Sequence, residues 1–202
     1  MKKGLMVVVS GPAGSGKGTV NAHLLETGEY VYSISATTRA PRPGEKHGVN
    51  YYFISEEEFK RRIENGEMLE YTEYCGNYYG TPKKEALEVL ESGKNLILEI
   101  EVEGAMNVKR EYPEAVLIML LPPSFSVQEY RLRSRGTESE EKILERLERT
   151  RKEVPLLPKY DFVVYNEDKR DTEAAETIDT IVRAEKSAIC RYPDAVSKYF
   201  NN

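Results

Sequence analysis

The segment from Gly11 to Thr19 reads GPAGSGKGT. Gly11, Gly16 and Lys17 have the spacing of a phosphate-binding loop, G-x-x-x-x-G-K, in which glycines let backbone N–H groups turn toward phosphate oxygens. Lys17 has the reach for the β- and γ-phosphates of a nucleoside triphosphate and for charge that develops there during transfer. The run Gly11, Pro12, Ala13, Gly14, Ser15, Gly16, Lys17, Gly18 and Thr19 is therefore expected to wrap a triphosphate. Gly18 departs from the pattern, because the residue after the lysine is ordinarily Ser or Thr, whose hydroxyl reaches Mg2+. Either Thr19 takes over, or phosphate oxygens and water hold the metal, which suits an ion that sheds its water reluctantly.

Loops of this kind serve many chemistries and define none of them. A second set of residues narrows the field. Arg39 and Arg42 stand three apart in a Pro-rich loop, and planar guanidinium forks match phosphate oxygens. The apolar run from Leu96 ends in acids, which makes Glu99 a candidate for holding Mg2+ through water. Arg131, Arg133, Arg135, Arg146, Arg149 and Arg151 crowd one highly charged stretch. His23, inside a helical pattern, and His47, in a loop, read as structural or exposed side chains. Cys75 and Cys190 have no metal-ligand spacing and read as free thiols of a reducing compartment.

These side chains need a scaffold, and the apolar pattern supplies one. Leu5–Ser10, Leu96–Glu101 and Ala115–Leu121 are continuous apolar runs, as in parallel strands covered on both faces. Helical patterns follow at Ser15–Glu26, Glu103–Tyr112 and Asp171–Tyr192, with a last strand at Tyr160–Tyr165. Strands alternating with helices predict an α/β fold with a parallel-sheet core and helices on both faces. Residues 37–94 break that rhythm with closely spaced strands at Tyr51–Ile54 and Met68–Tyr74. Between them a capping box, Ser55 to Glu58, opens a helix that Gly66 closes, and Thr81-Pro82 starts another that ends at Gly93. Residues 126–155 form a second insertion of charged helices, with a capping box expected from Ser126 to Glu129 and a second helix over Thr137–Arg151. The core is then 1–36, 95–125 and 156–202.

The 202 residues carry a net charge of -5, with 40% hydrophobic and 31% charged residues. That balance is ordinary for a water-soluble domain and lacks the basic face a nucleic-acid binder needs. No run approaches the length of a membrane span, and the apolar stretch after Lys3 is too short for a secretory leader. The cytoplasm is the expected location. Nothing in these patterns sets the oligomeric state.

Beyond the phosphate loop, the segment Ser33-Ile-Ser-Ala-Thr-Thr-Arg-Ala-Pro-Arg42 resembles the guanylate kinase family. Gly66-Glu-Met-Leu-Glu70, Gly76-Asn-Tyr-Tyr-Gly80, Leu98-Glu-Ile-Glu101, Arg135-Gly-Thr-Glu138 and Tyr165-Asn166-Glu-Asp168 extend the match in unbroken order. The resemblance implies a small mixed-sheet region that binds a nucleoside monophosphate and a helical lid, over residues 37–94 and 126–155. It implies phosphoryl transfer from ATP to GMP with Mg2+, both substrates being small molecules, and no nucleic-acid or membrane partner. By the same resemblance Arg39, Arg42, Tyr51 and Tyr79 hold the GMP phosphate. Glu70 reads guanine N1–H and N2–H2, Ser35 and Thr81 lie near O6, and Glu101 is a second acidic contact to the base. Lys17, Arg131, Arg135 and Arg146 act on the transferring phosphate, and Asn166 touches the base of ATP. Glu103 stands where the family commonly has Gln. Two other readings remain at this point: a kinase for another monophosphate, or a non-catalytic relative serving as a scaffold module. Retention of Lys17, Arg135 and Arg146 favours the enzyme.

Overall fold

The first strand sets the architecture. Val7 and Val9 pack on one face of a parallel sheet and Met6 and Val8 on the other, and all are buried. A computed structural model describes residues 3–74, 76–136 and 138–201. Its main sheet has the order β2 (Tyr30–Tyr32), β7 (Asn95–Leu98), β1 (Met6–Ser10), β8 (Val116–Leu121) and β9 (Phe162–Tyr165), every pair parallel. On the Val7 face lie α1 (Lys17–Glu26) and α7 (Asp171–Glu185), which bury Val20, Leu24 and Ile178 there. On the Met6 face lie α3 (Lys83–Glu91) and α4 (Val102–Glu111), through Ala86, Ala105 and Val108. Parallel strands covered on both faces are what their unbroken apolar runs demand. His23 joins the two helices of the first face, its Nε2 lying 2.6 Å from Asp171 Oδ2. That hydrogen bond raises the His23 pKa above its ordinary value.

A second sheet has the order β4 (Tyr52–Phe53), β3 (Ala36–Thr37), β6 (Asn77–Pro82), β5 (Met68–Tyr74). It is mixed: β3 and β4 run parallel, whereas β6 is antiparallel to both β3 and β5. Helix α2 (Glu56–Glu64) closes it by burying Phe59 against Ala36 and Met68. Helices α5 (Phe125–Ser134) and α6 (Glu140–Glu153) follow β8 and share a small core of Leu132, Ile143 and Leu147, packed on Ala13 of the phosphate loop. No helix among the described residues is long and apolar enough to cross a membrane.

Several elements differ from the sequence reading, each for a physical reason. Strand β6 was not expected, because Gly80 and Pro82 are weak strand formers and Thr81-Pro82 reads as a helix start; its pairing with β5 overrides that preference. Helix α5 is capped by Ser124, whose Oγ accepts from Val127 N at 3.2 Å, so Ser126 lies inside the helix. Only half of the box at Ser55 forms: its Oγ accepts from Glu58 N, while the Glu58 carboxylate turns to Arg61 and Arg62. Helix α6 starts at Glu140 behind its cap Ser139, and Thr137 lies outside the described residues. The terminal helix stops at Glu185 because the chain turns extended at Ala188; a 3-10 turn (Ile189–Arg191) and α8 (Ala195–Asn201) follow. Cys190 is an exposed free thiol, and Cys75 lies outside the described residues.

The second sheet is held to a close tolerance at Gly80. A Cβ built there would lie 2.8 Å from Glu70 O and 3.0 Å from Phe59 Cζ, tighter than real Cβ contacts allow. Gly80→Ala is therefore expected to push β6 off β5 and move its neighbours Tyr79 and Thr81. Thermal unfolding should shift down by several degrees, on the scale of about 1–3 kcal/mol for overpacking. Binding at the face formed by β5 and β6 should weaken while triphosphate binding at Gly11–Thr19 is retained, as isothermal titration would read.

Candidate active site

The loop between β1 and α1 is shaped from its outer side. Gly14 and Gly16 have φ of 85° and 90°, left-handed values that other residues adopt only with strain. A side chain at Gly16 would strike Asn166 Nδ2 at 2.3 Å. Each loop carbonyl meets a donor: Gly11 O takes Lys17 Nζ (2.6 Å), Pro12 O takes Ser15 N (3.1 Å), Ala13 O takes Gln128 Nε2 (2.9 Å) and Ser15 O takes Asn166 Nδ2 (2.9 Å). Arg131 Nη1 lies 3.5 Å from Gly14 O. With these carbonyls satisfied, the loop N–H groups other than that of Ser15 are left for an anion at the N-terminus of α1. A cavity of about 330 Å³ lies over the loop, bordered by Lys17, Thr19, Glu99, Arg135 and Arg146.

The structure brings Arg135 and Arg146 to that cavity but not Arg131. Arg131 sits beside the loop, bonded to Asn166 O (2.9 Å) and Asp168 Oδ1 (2.6 Å). Asn166 is buried under the loop, its Nδ2 spent on Ser15 and its Oδ1 unpartnered. Arg146 Nη2 donates to Glu138 Oε1 at 2.6 Å, while its buried Nε has no partner. Arg135 is exposed on the rim and makes no ion pair among the described residues. Gly18 faces open space, with nothing within 4 Å of a Cβ built there. Its missing hydroxyl is thus a chemical absence and not a steric requirement.

A neighbouring cleft of about 280 Å³ gathers Ser35, Arg39, Arg42, Tyr51, Tyr79 and Glu101 around Glu70. Arg39 and Tyr51 are packed together, the guanidinium carbon 5.5 Å from the ring centre, and Tyr51 meets Tyr79 edge-on at 6.1 Å. Glu70 is only 5% exposed. Thr81, fully buried behind it, donates to Glu70 Oε1 at 2.8 Å and so fixes the carboxylate without bordering the cleft. Burial pushes the Glu70 pKa up to about 7, against the lowering effect of the Thr81 hydroxyl and amide. Gly104, at the start of α4, gives that carboxylate room: a Cβ there would approach Oε2 to 3.0 Å. Glu103 is exposed.

Other residues of the site were not singled out from the sequence. Glu45 accepts from Arg39 Nη2 (3.0 Å) and from Arg42 N (2.7 Å), holding the two-arginine loop closed on itself. An acid three residues past Arg42 was the available signal. Asn21 and Tyr32 both donate to Glu99 Oε2, at 2.9 and 3.0 Å, and fix the acid where the two cavities meet. Asn21 stands one helical turn after Lys17 on α1, a spacing that puts both on one face. Arg149, whose sequence context allows a solvated charge or a helix salt bridge with a nearby glutamate, makes that bridge to Glu153 one turn on (2.5 Å), and it also reaches Glu101 (2.9 Å) and borders the cleft. Arg133 forms surface ion pairs with Glu129 and Glu140, and Arg151 lies over the Phe125 ring.

The chain matches the family model for guanylate kinase over residues 3–185. The guanylate kinase of Clostridium tetani is 45% identical over 97% of this chain and 93% of its own length. That of Halalkalibacterium halodurans is 48% identical over 98% and 95%. Among solved structures, a crystal structure of guanylate kinase from Anaplasma phagocytophilum superposes with a TM-score of 0.76 at 36% identity, covering 95% of this chain and 90% of that one.

The buried carboxylate has a measurable signature without any ligand. A carboxylate whose folded pKa lies above its unfolded value binds more protons folded than unfolded between the two. Stability therefore falls as pH rises from about 4.5 to about 7 and stays low above that. Glu70→Gln keeps the acceptor for Thr81 and removes the charge. It is expected to stabilise the unliganded protein at pH 8 by up to about 3 kcal/mol and to have little effect at pH 4.5. Chemical denaturation at the two pH values reads the difference; an equal effect at both would mean that Glu70 does not titrate with folding.

Proposed function

The chain belongs to the guanylate kinase family, and from that premise we propose that it transfers the γ-phosphoryl group of ATP to GMP, giving ADP and GDP. One observation carries the reading: Lys17, Glu99 and Arg146 border both the cavity over the loop and the cleft around Glu70. Two anion-binding pockets with one cationic wall between them suit a donor and an acceptor phosphate held side by side. Phosphoryl transfer asks little more of a protein than such positioning and the stabilisation of spread charge.

The loop amides of Gly11–Thr19 and Lys17 hold the triphosphate. Arg39, Arg42, Tyr51 and Tyr79 hold the acceptor phosphate, with Glu45 setting the arginines' posture. Glu70 accepts from guanine N1–H and N2–H2, Ser35 lies near O6, Thr81 orients Glu70, and Glu101 is a second acid for the base. Arg135 and Arg146 clamp the transferring group, and Arg131 supports the loop from beside it. Asn166, on this geometry, serves the ATP site chiefly by bracing the loop. Residues 37–94 form the acceptor part, anchored to the core (1–36, 95–125, 156–202) by Ala86. Residues 126–155 form a lid whose closure keeps water from the γ-phosphate. The residues present fit Mg2+ bound with ATP: Glu99, fixed by Asn21 and Tyr32 at the shared wall, and Thr19 would hold it through water. Bound there, the ion neutralises charge on the phosphates. The cytoplasm, where ATP and free thiols such as Cys190 coexist, is the compartment that suits the enzyme.

Selectivity is tested by coupled assay of ADP formation from ATP with GMP, dGMP, AMP, CMP and UMP in turn. GMP should exceed AMP by about 10⁴ in kcat/KM, the scale of sites that leave a buried polar group unmatched. Equal rates with AMP and GMP would remove Glu70 as a reader, and full turnover by Lys17→Ala would remove the loop from catalysis.

The pH profile of kcat/KM for GMP should follow the acid. Below pH about 7 Glu70 is protonated in the free enzyme, loses acceptor capacity, and the parameter falls toward about tenfold per pH unit. Glu70→Gln should abolish that inflection, leaving only the one near pH 6 that belongs to the substrate phosphate.

A further inference from the structure

Gln128 of α5 is 1% exposed, yet its amide is committed to two elements at once. Its Nε2 donates to Ala13 O in the phosphate loop (2.9 Å) and to Thr150 Oγ1 on α6 (2.7 Å). Thr150, itself buried, donates its O–H to Arg146 O one turn earlier (3.0 Å). The result is a continuous buried chain, Ala13 O to Gln128 to Thr150 to Arg146 O, that starts in the loop and ends on the backbone of a lid arginine. Around it Leu132, Ile143, Leu147 and Ala13 form only a small apolar cluster. Such a cluster resists separation but tolerates sliding, because apolar contact has no direction. Hydrogen bonds between buried groups do have direction, and a broken one leaves a polar atom unpaired.

We infer that Gln128 and Thr150 are a positioning pair that fixes Arg146 relative to the phosphate loop. This rests on the reading of Arg146 as an arginine that clamps the transferring group. Neither residue borders the loop cavity or the Glu70 cleft; both act through the angle at which α6 presents Arg146. The two cavities agree with this, since Ala13 and Arg146 border both of them. The register between loop and α6 is therefore a register between donor phosphates and clamp. A displacement of about 1 Å at such a contact can reduce turnover by as much as about 100-fold without weakening substrate binding.

The test uses Gln128→Leu, Thr150→Val, the double variant and the conservative Thr150→Ser, with circular dichroism melting to confirm that each is folded at the assay temperature. Gln128→Leu and Thr150→Val should each lower kcat by about tenfold or more, with KM for GMP changed less than about twofold. The double variant should be no worse than the poorer single one, because both break the same chain. Thr150→Ser, which keeps the hydroxyl, should restore kcat. If Gln128→Leu does not fold, the comparison of Thr150→Val with Thr150→Ser decides alone. Unchanged kcat in Thr150→Val, equal losses in Val and Ser, independent multiplication in the double variant, or a parallel rise in KM would each overturn the inference. Arg146→Ala separates the premise from the inference. Full turnover by that variant would sink the role of Arg146 itself. A crippled Arg146→Ala beside a normal Thr150→Val would sink only the pair.

Discussion

The path of the backbone from Gly11 to Lys17 is the constraint on which the rest of the structure depends. A loop can offer its N–H groups to an anion only if its carbonyls are satisfied elsewhere, since each peptide carries both. Here Lys17 meets one carbonyl from the loop's own end, and two other donors come from distant elements, Gln128 on α5 and Asn166 after β9. Those donors need a parallel sheet to bring them around one strand end, which the β1, β8 and β9 pairings do. The close approach of Gly11, where a Cβ would lie 2.1 Å from Leu120 O, belongs to the same packing. The path of the loop is therefore a property of three strands and two helices, although its motif occupies one short stretch of chain.

The acceptor cleft rests on the opposite device, an acid kept from water. Glu70 is destabilised by burial and only partly compensated by Thr81. A ligand face with two adjacent N–H donors offsets that penalty, whereas one presenting an acceptor leaves it standing. Specificity is then a difference between a matched and an unmatched buried charge, larger than contact area alone provides. Stability is given up at Glu70 so that discrimination is available there.

How much of this the sequence revealed follows the range of the interactions. The phosphate loop was legible because its glycines and lysine are local requirements of one turn. The parallel core was legible because strands covered on both faces must be continuously apolar, as Val116–Leu121 is. Strand β6 was not legible, since its residues form a strand only beside β5. Ser126 was mistaken for a cap because a cap is chosen by the direction of the incoming chain, which Pro122 and Pro123 set. Gln128 and Glu45 look like ordinary polar residues in sequence, and Asn166, expected at the base of ATP, instead braces the loop from beneath. Their partners lie 115, 151 and 6 positions away, and only folding decides what an amide or carboxylate will meet.

A protein of net charge -5 that gathers arginines around two adjoining cavities must keep those cations from repelling one another in the unliganded state. The structure does so with neighbouring acids: Glu45 on Arg39, Glu138 on Arg146, Glu101 and Glu153 on Arg149. Each carboxylate gives its arginine an anionic oxygen at hydrogen-bond distance, as a phosphate oxygen would, so the guanidinium is already ordered. Side-chain entropy lost in that ordering need not be lost again on binding. A phosphate carries more charge than a carboxylate and draws the arginine with greater strength, so exchange of partner favours the substrate. The pairs are weakest where exposed, and Arg135, with no ion pair among the described residues, stands on the rim where solvent screens it best. The surplus of acid in the composition, which at first argues only against nucleic acid, is on this view what lets the cationic site exist in the unliganded protein.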